Sequence, residues 1–133
     1  MTIGLLLITH GNLGQEMLDT VTGILHQCPL QAQAISVCSD CDPETMYAQA
    51  SSICTALDRG DGILVLTDLF GSTPSNIAHR LTGSHRVAVI SGANIPMLLR
   101  ILNYPEMDLE HLCEKAASGA RDGVIVTLCK QGS

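Results

Sequence analysis

Ile3-Gly4-Leu5-Leu6-Leu7-Ile8-Thr9-His10-Gly11-Asn12 decides how the rest of the chain is read. The run is strand-length, and its apolar residues do not alternate with polar ones. That marks a strand covered on both faces, the kind that builds parallel sheets between helices. It stops at a histidine, a glycine and an asparagine, which signal a turn.

The next segments repeat the pattern. A helix is predicted from Leu13 to His26, with Met17, Leu18, Val21, Ile24 and Leu25 at helical spacing and Pro29 just beyond. Ala32 to Cys38 reads as a second strand. Asp42 suits the N-cap of the next helix and Pro43 its first turn, where a missing N–H costs nothing. That helix runs to Leu57, and Arg59-Gly60-Asp61-Gly62 stops it. Ile63 to Thr67 is a third strand, followed by Asp68. A helix begins at Ser72-Thr73-Pro74 and reaches Leu81. Arg86 to Ile90 is a fourth strand, Asn94 to Asn103 a helix, Asp108 to Ala120 another, and Val124 to Leu128 a last strand.

Strands alternating with helices imply right-handed crossovers. The expected architecture is three-layer α/β: a mainly parallel sheet of order 2-1-3-4 with helices on both faces. In that order the first and third strands are neighbours whose helices lie on opposite faces. A crevice then opens between their carboxyl ends. His10 ends one of these strands and Asp68 follows the other, so both belong at the crevice.

Composition bounds the alternatives. The 133 residues fit one domain, 1–133. Aromatics make up 2% and hydrophobics 46%, so Leu, Ile, Val and Ala must form the core. The net charge is -6 and the seven Lys and Arg are scattered, which argues against nucleic acid and leaves room for a basic protein partner. No apolar run is long enough for membrane insertion, and the N-terminus lacks the basic region of a signal peptide. A cytoplasmic protein is expected, with Cys28, Cys38, Cys41, Cys54, Cys113 and Cys129 as free thiols.

His10 is the leading candidate for chemistry. A neutral imidazole at a strand end is a nucleophile open to a cleft. A carboxylate on one ring nitrogen would leave the other's lone pair free, and Asp68 is placed for that. It would also stabilise positive character arising on the ring. The plainer reading makes His10 a strand-end residue bonded to a backbone carbonyl. The loop Asp68-Leu69-Phe70-Gly71-Ser72-Thr73-Pro74 adds weight. Gly71 permits backbone shapes closed to other residues, and Ser72 and Thr73 bring hydroxyls and amides to a helix start that attracts anions. Its plainer reading is a capped helix, with Thr73 as N-cap and Pro74 first in the helix.

Thr9-His10-Gly11 after the first strand, with Asp68-Leu69-Phe70-Gly71 and Pro74-Ser75-Asn76 after the third, resembles the mannose/fructose/sorbose family of phosphotransferase system enzyme IIA domains. The resemblance covers nearly the whole chain. It implies that His10 accepts a phosphoryl group from the histidine-containing phosphocarrier HPr and passes it on. It further implies that Asp68 bonds the imidazole and that Thr73 and its loop contact the phosphoryl group. No H-x-x-x-H pair is present, so no metal is expected, and a transfer of this kind requires no cofactor. Gly11, Gly71 and Ser72 complete the implied phosphoryl-binding set. Many members have a second glycine at the position of Ser72 and serine at that of Thr73. Members are typically homodimers whose final strand, here Val124 to Leu128, crosses to the partner's sheet as an antiparallel edge strand. Many continue into a IIB domain. This chain ends at Ser133, so the expected partners are a separate IIB protein or a regulatory target. The related phosphoryl-donor subunit of dihydroxyacetone kinase is a weaker match.

Two other function classes stay open. Cys38-Ser39-Asp40-Cys41 is a C-x-x-C before a helix start, where a thiol pKa is lowered, as in thiol–disulfide redox proteins. A single such pair is weak evidence for zinc. The other class is a regulatory binding module switched by phosphorylation of His10. His26, His79, His85 and His111 read as solvated or dipole-complementing side chains. No nucleotide-binding glycine motif is present.

Overall fold

The computed structural model describes residues 2–130. The elements in order are β1 (Gly4–His10), α1 (Leu13–Leu25), β2 (Ala32–Val37), α2 (Pro43–Leu57), β3 (Ile63–Thr67), α3 (Thr73–Leu81), β4 (Val87–Ser91), α4 (Ile95–Leu102) and α5 (Leu109–Asp122). The sheet order is β2-β1-β3-β4, with every pairing parallel. This is the architecture expected from the alternation of strands and helices.

The central strands are buried on both faces, and the pleat divides their side chains between two cores. Leu5, Leu7, Leu64 and Leu66 join Met17, Leu18, Val21, Met97, Leu98 and Leu112 in the layer of α1, α4 and α5. Leu6, Ile8, Ile63 and Val65 join Ala50, Cys54, Ile77 and Leu81 in the layer of α2 and α3. Each such aliphatic side chain withdrawn from water contributes about 1.5–3 kcal/mol. Burial of both faces also fixes the register, because a slip of one residue would exchange the two sets.

Local chemistry sets the helix ends. Asp42 accepts from the Thr45 amide, Asn94 from the Met97 amide and Asp108 from the His111 amide. α1 has no side-chain bond from its N-cap Asn12, whose Oδ1 instead accepts from Ser36 Oγ. The buried Thr9 takes over, its Oγ1 accepting the Gly14 amide at 2.8 Å. That bond ties the end of β1 to the start of α1 and clamps the turn between them, which carries His10. Across the other layer, Arg80 makes two hydrogen bonds to Glu44 and stacks over the Tyr47 ring, joining α3 to α2.

Three expectations need correction. Val124 to Leu128 forms no strand within the chain. After α5 the backbone is irregular as far as residue 130, and Val124, Ile125, Val126 and Leu128 are 68–82% exposed. A strand needs a neighbour to supply its hydrogen bonds, and the chain does not lay this segment beside β4. Second, Cys38 and Cys41 are not free thiols but joined by a disulfide. Third, α3 starts one residue early: Ser72 is the N-cap, Thr73 is the first helical residue and Pro74 the second.

Candidate active site

β1 and β3 run side by side in register, Gly4 opposite Ile63 and Ile8 opposite Thr67. Both then end at the same rim, so His10 and Asp68 meet although 58 positions separate them. One carboxylate oxygen, Asp68 Oδ2, accepts twice from His10: from the ring Nδ1 at 2.8 Å and from the backbone amide at 3.1 Å. An ionised carboxylate only accepts, so Nδ1 carries a proton, and in the neutral ring the lone pair then lies on Nε2. The imidazole is 52% exposed and the carboxylate 12%. Burial pushes the Asp68 carboxyl upward, but the hydrogen bonds from the His10 ring and amide outweigh it and hold it below its ordinary value. Asp68 Oδ1 is buried and accepts no hydrogen bond among the described residues.

His10 opens into a cleft of about 670 Å³, whose lining also includes Gly11, Val37, Cys38, Cys41 and Thr73. Gly11 (φ +51°) turns the chain back from His10 without a side chain over the ring. On the β3 side Gly71 (φ +82°) makes the bend that delivers α3. Thr73 and Ser75 place their amides in the first turn of α3, where no intrahelical acceptor exists. The Ser72 hydroxyl is committed elsewhere, donating to Leu69 O at 2.6 Å. Of the candidate phosphoryl-binding residues, then, Gly11 and Thr73 line the cleft with His10, whereas Gly71 and Ser72 shape the loop behind it.

Two features of the site went unread in the sequence. The wall opposite Thr73 comes from the β2–α2 connection, Val37 to Pro43. The strand order alone points to it, because β2 flanks β1 and ends at the same rim. The second is an exposed apolar pair, Leu69 and Phe70, 61% and 74% exposed. Phe70 stands edge-on to the His79 ring, centroids 5.8 Å apart. An aromatic held at the rim in a chain with a single Phe could have drawn attention. Three of the other four histidines have local partners: His79 Nδ1 lies 2.7 Å from Ser75 O, His85 Nε2 2.8 Å from Ser51 Oγ and His111 Nδ1 2.7 Å from Asp108 Oδ1.

The fold and site together define a parallel α/β domain that presents a carboxylate-oriented histidine at the carboxyl rim of its sheet. The family described as PTS system fructose IIA component matches residues 4–117, and the chain belongs to this family of sugar phosphotransferase system IIA components. It is 30% identical over 127 residues to the mannose-specific EIIAB component of the phosphotransferase system of Escherichia coli K12, covering 93% of this chain but only 39% of that relative. Among solved structures, the mannose/sorbose-specific IIA subunit of Enterococcus faecalis aligns over 100% of both chains, with a TM-score of 0.87 and 22% identity. The EIIA component of Streptococcus agalactiae aligns over 94% of this chain and 97% of its own, with a TM-score of 0.84 and 22% identity. At that identity the likeness speaks for the fold.

Proposed function

We propose that this chain is a phosphocarrier, in which His10 takes a phosphoryl group from phospho-HPr and passes it to a IIB component or holds it as a regulatory signal. The observation that carries this reading is the Nδ1···Asp68 hydrogen bond, which leaves Nε2 as the free nucleophile. In the transfer, the Nε2 lone pair attacks phosphorus in line with the donor histidine. The bond from phosphorus to the donor nitrogen breaks, and its electron pair returns to the donor ring. The proton stays on Nδ1. The ring becomes imidazolium-like, and the Asp68 carboxylate balances that charge from behind. The free amides of the α3 first turn and the Thr73 hydroxyl offer donors to the phosphoryl oxygens. Passing the group on reverses these steps with a different acceptor.

Half-exposure of His10 suits such a hand-over, because another protein's side chain must reach the same phosphorus. Leu69 and Phe70 beside it offer apolar area to that partner. A homodimer forms part of the same reading: Val124 to Leu128 is a β-rich apolar segment that leaves α5 near β4, a strand at the edge of the sheet. In a dimer, each chain's segment would pair antiparallel with the partner's β4.

The test is phosphorylation of the purified protein by phosphoenolpyruvate, enzyme I and HPr. Wild type should gain one acid-labile, base-stable phosphoryl group and His10→Ala none, with an unchanged circular dichroism spectrum. Label retained by folded His10→Ala would remove His10 from the role.

A further inference from the structure

The cysteine pair lies where chemistry at His10 would feel it. Cys38 and Cys41, with Cα atoms 5.1 Å apart, close the connection between β2 and α2 and line the His10 cleft. That wall is also tied to the turn beside His10. His10 is in register with Val37, the residue before the first cysteine, and the Gly11 amide donates to Val37 O at 3.0 Å. We propose that the Cys38–Cys41 disulfide is a reducible latch that tunes phosphoryl transfer at His10; this rests on the phosphocarrier reading above.

The two sulfurs differ in a way that suits reduction. Cys38 is exposed and Cys41 half-buried, so an incoming thiolate reaches Cys38 first. Cys41 Sγ accepts the Cys38 amide at 3.2 Å, a donor that steadies the departing thiolate. The reductant is a dithiol, small or protein-borne. One of its thiolates attacks Cys38 Sγ, the Cys38–Cys41 bond breaks, and Cys41 leaves as thiolate. The second thiol of the reductant then attacks its own mixed-disulfide sulfur and frees Cys38. Two electrons pass to the protein, its two thiols are protonated, and the dithiol ends as a disulfide. Cys54 competes poorly in such exchange, since burial and the nearby Asp58 carboxylate push its thiol up to about 11.

The open form keeps the Cys41 amide bond to Cys38 O but loses the covalent link across the turn. The wall beside His10 then samples more conformations. A partner must order it on docking, which costs binding and positioning free energy. Transfer should therefore be slower in the reduced protein.

The experiment uses the whole chain. Thiols are counted by alkylation and mass, and phosphoryl transfer from phospho-HPr is timed with and without excess dithiothreitol. Reduction should raise the free thiols from the four of Cys28, Cys54, Cys113 and Cys129 to all six. It should slow labelling about fivefold, the scale of losing one ordered loop contact. Reoxidation should restore the faster rate. The double variant Cys38→Ser, Cys41→Ser should label at the slower rate and ignore the reductant, which excludes effects on the upstream proteins. Equal rates in the two redox states, with both forms labelled, would overturn the latch and leave the phosphocarrier intact. A disulfide that excess dithiol cannot open would overturn it as well. No label in either state would defeat the phosphocarrier reading and the latch with it.

Discussion

Two donors from one residue converge on one oxygen: the His10 amide fixes where Asp68 Oδ2 stands, and the ring then docks onto it. The orientation of the nucleophile is thus referenced to the backbone rather than to a mobile surface group. Replacing Asp68 by Ala should leave His10 reactive but unoriented. Transfer should slow by about 10- to 100-fold, the loss seen when the carboxylate that orients a metal-bound imidazole is removed. Rapid-quench labelling reads this directly, and an unchanged rate would detach Asp68 from the mechanism. The pair also has an acid signature. The folded Asp68 carboxyl lies below its ordinary value, so the unfolded chain binds that proton more readily. The stabilisation is therefore present above about pH 4, the ordinary carboxylate range. It is lost as pH falls through the lower folded value. Asp68→Asn should accordingly flatten the acid limb of a stability–pH curve, measured by urea titration at successive pH values.

The helices carry their own tests. α1 ends on His26, an exposed residue in the left-handed region at φ +62°. His26→Gly should raise stability by about 0.5–1 kcal/mol, because glycine adopts this shape without a Cβ clash. Urea unfolding measures it, and a loss of stability would contradict the capping account. α4 and α5 pack closely where Gly119 faces Arg100: a Cβ on Gly119 would lie 2.5 Å from Arg100 Cβ. Gly119→Ala should therefore cost about 1–3 kcal/mol by overpacking, in the same assay. At this scale most of the molecule was legible in the chain. The apolar runs Leu5 to Ile8 and Ile63 to Leu66 stand out because a doubly covered strand cannot tolerate polar interruption. His10 and Asp68 stood out because they end those runs. What stayed hidden depended on closure in space. Whether Cys38 and Cys41 meet is decided by the turn between β2 and α2, and the N-cap of α3 falls on Ser72 through its extended backbone, while its hydroxyl donates to Leu69 O and makes no cap bond. Val124 to Leu128 has strand composition, but the chain does not lay it beside the open edge of β4.

For the whole molecule, that apolar segment is the largest debt left by the fold. Pairing it with a second copy would cover four exposed aliphatic side chains in each chain and supply ladder bonds to the open side of β4. Light scattering should find a dimer. Ile125→Asp with Val126→Asp should yield a monomer that still accepts phosphate at His10, because the segment lies outside the lining of the His10 cleft. A monomeric wild type would reject the exchange. The parallel sheet has one more consequence. His10, Asp68 and Thr73 sit on the rim where strands finish, while Arg59-Gly60-Asp61 lies on the rim where β3 starts, about 20 Å away along the length of β1. Under the phosphocarrier reading, that far rim is where a fluorophore, a tether or a fused domain should ride without touching the hand-over of phosphate.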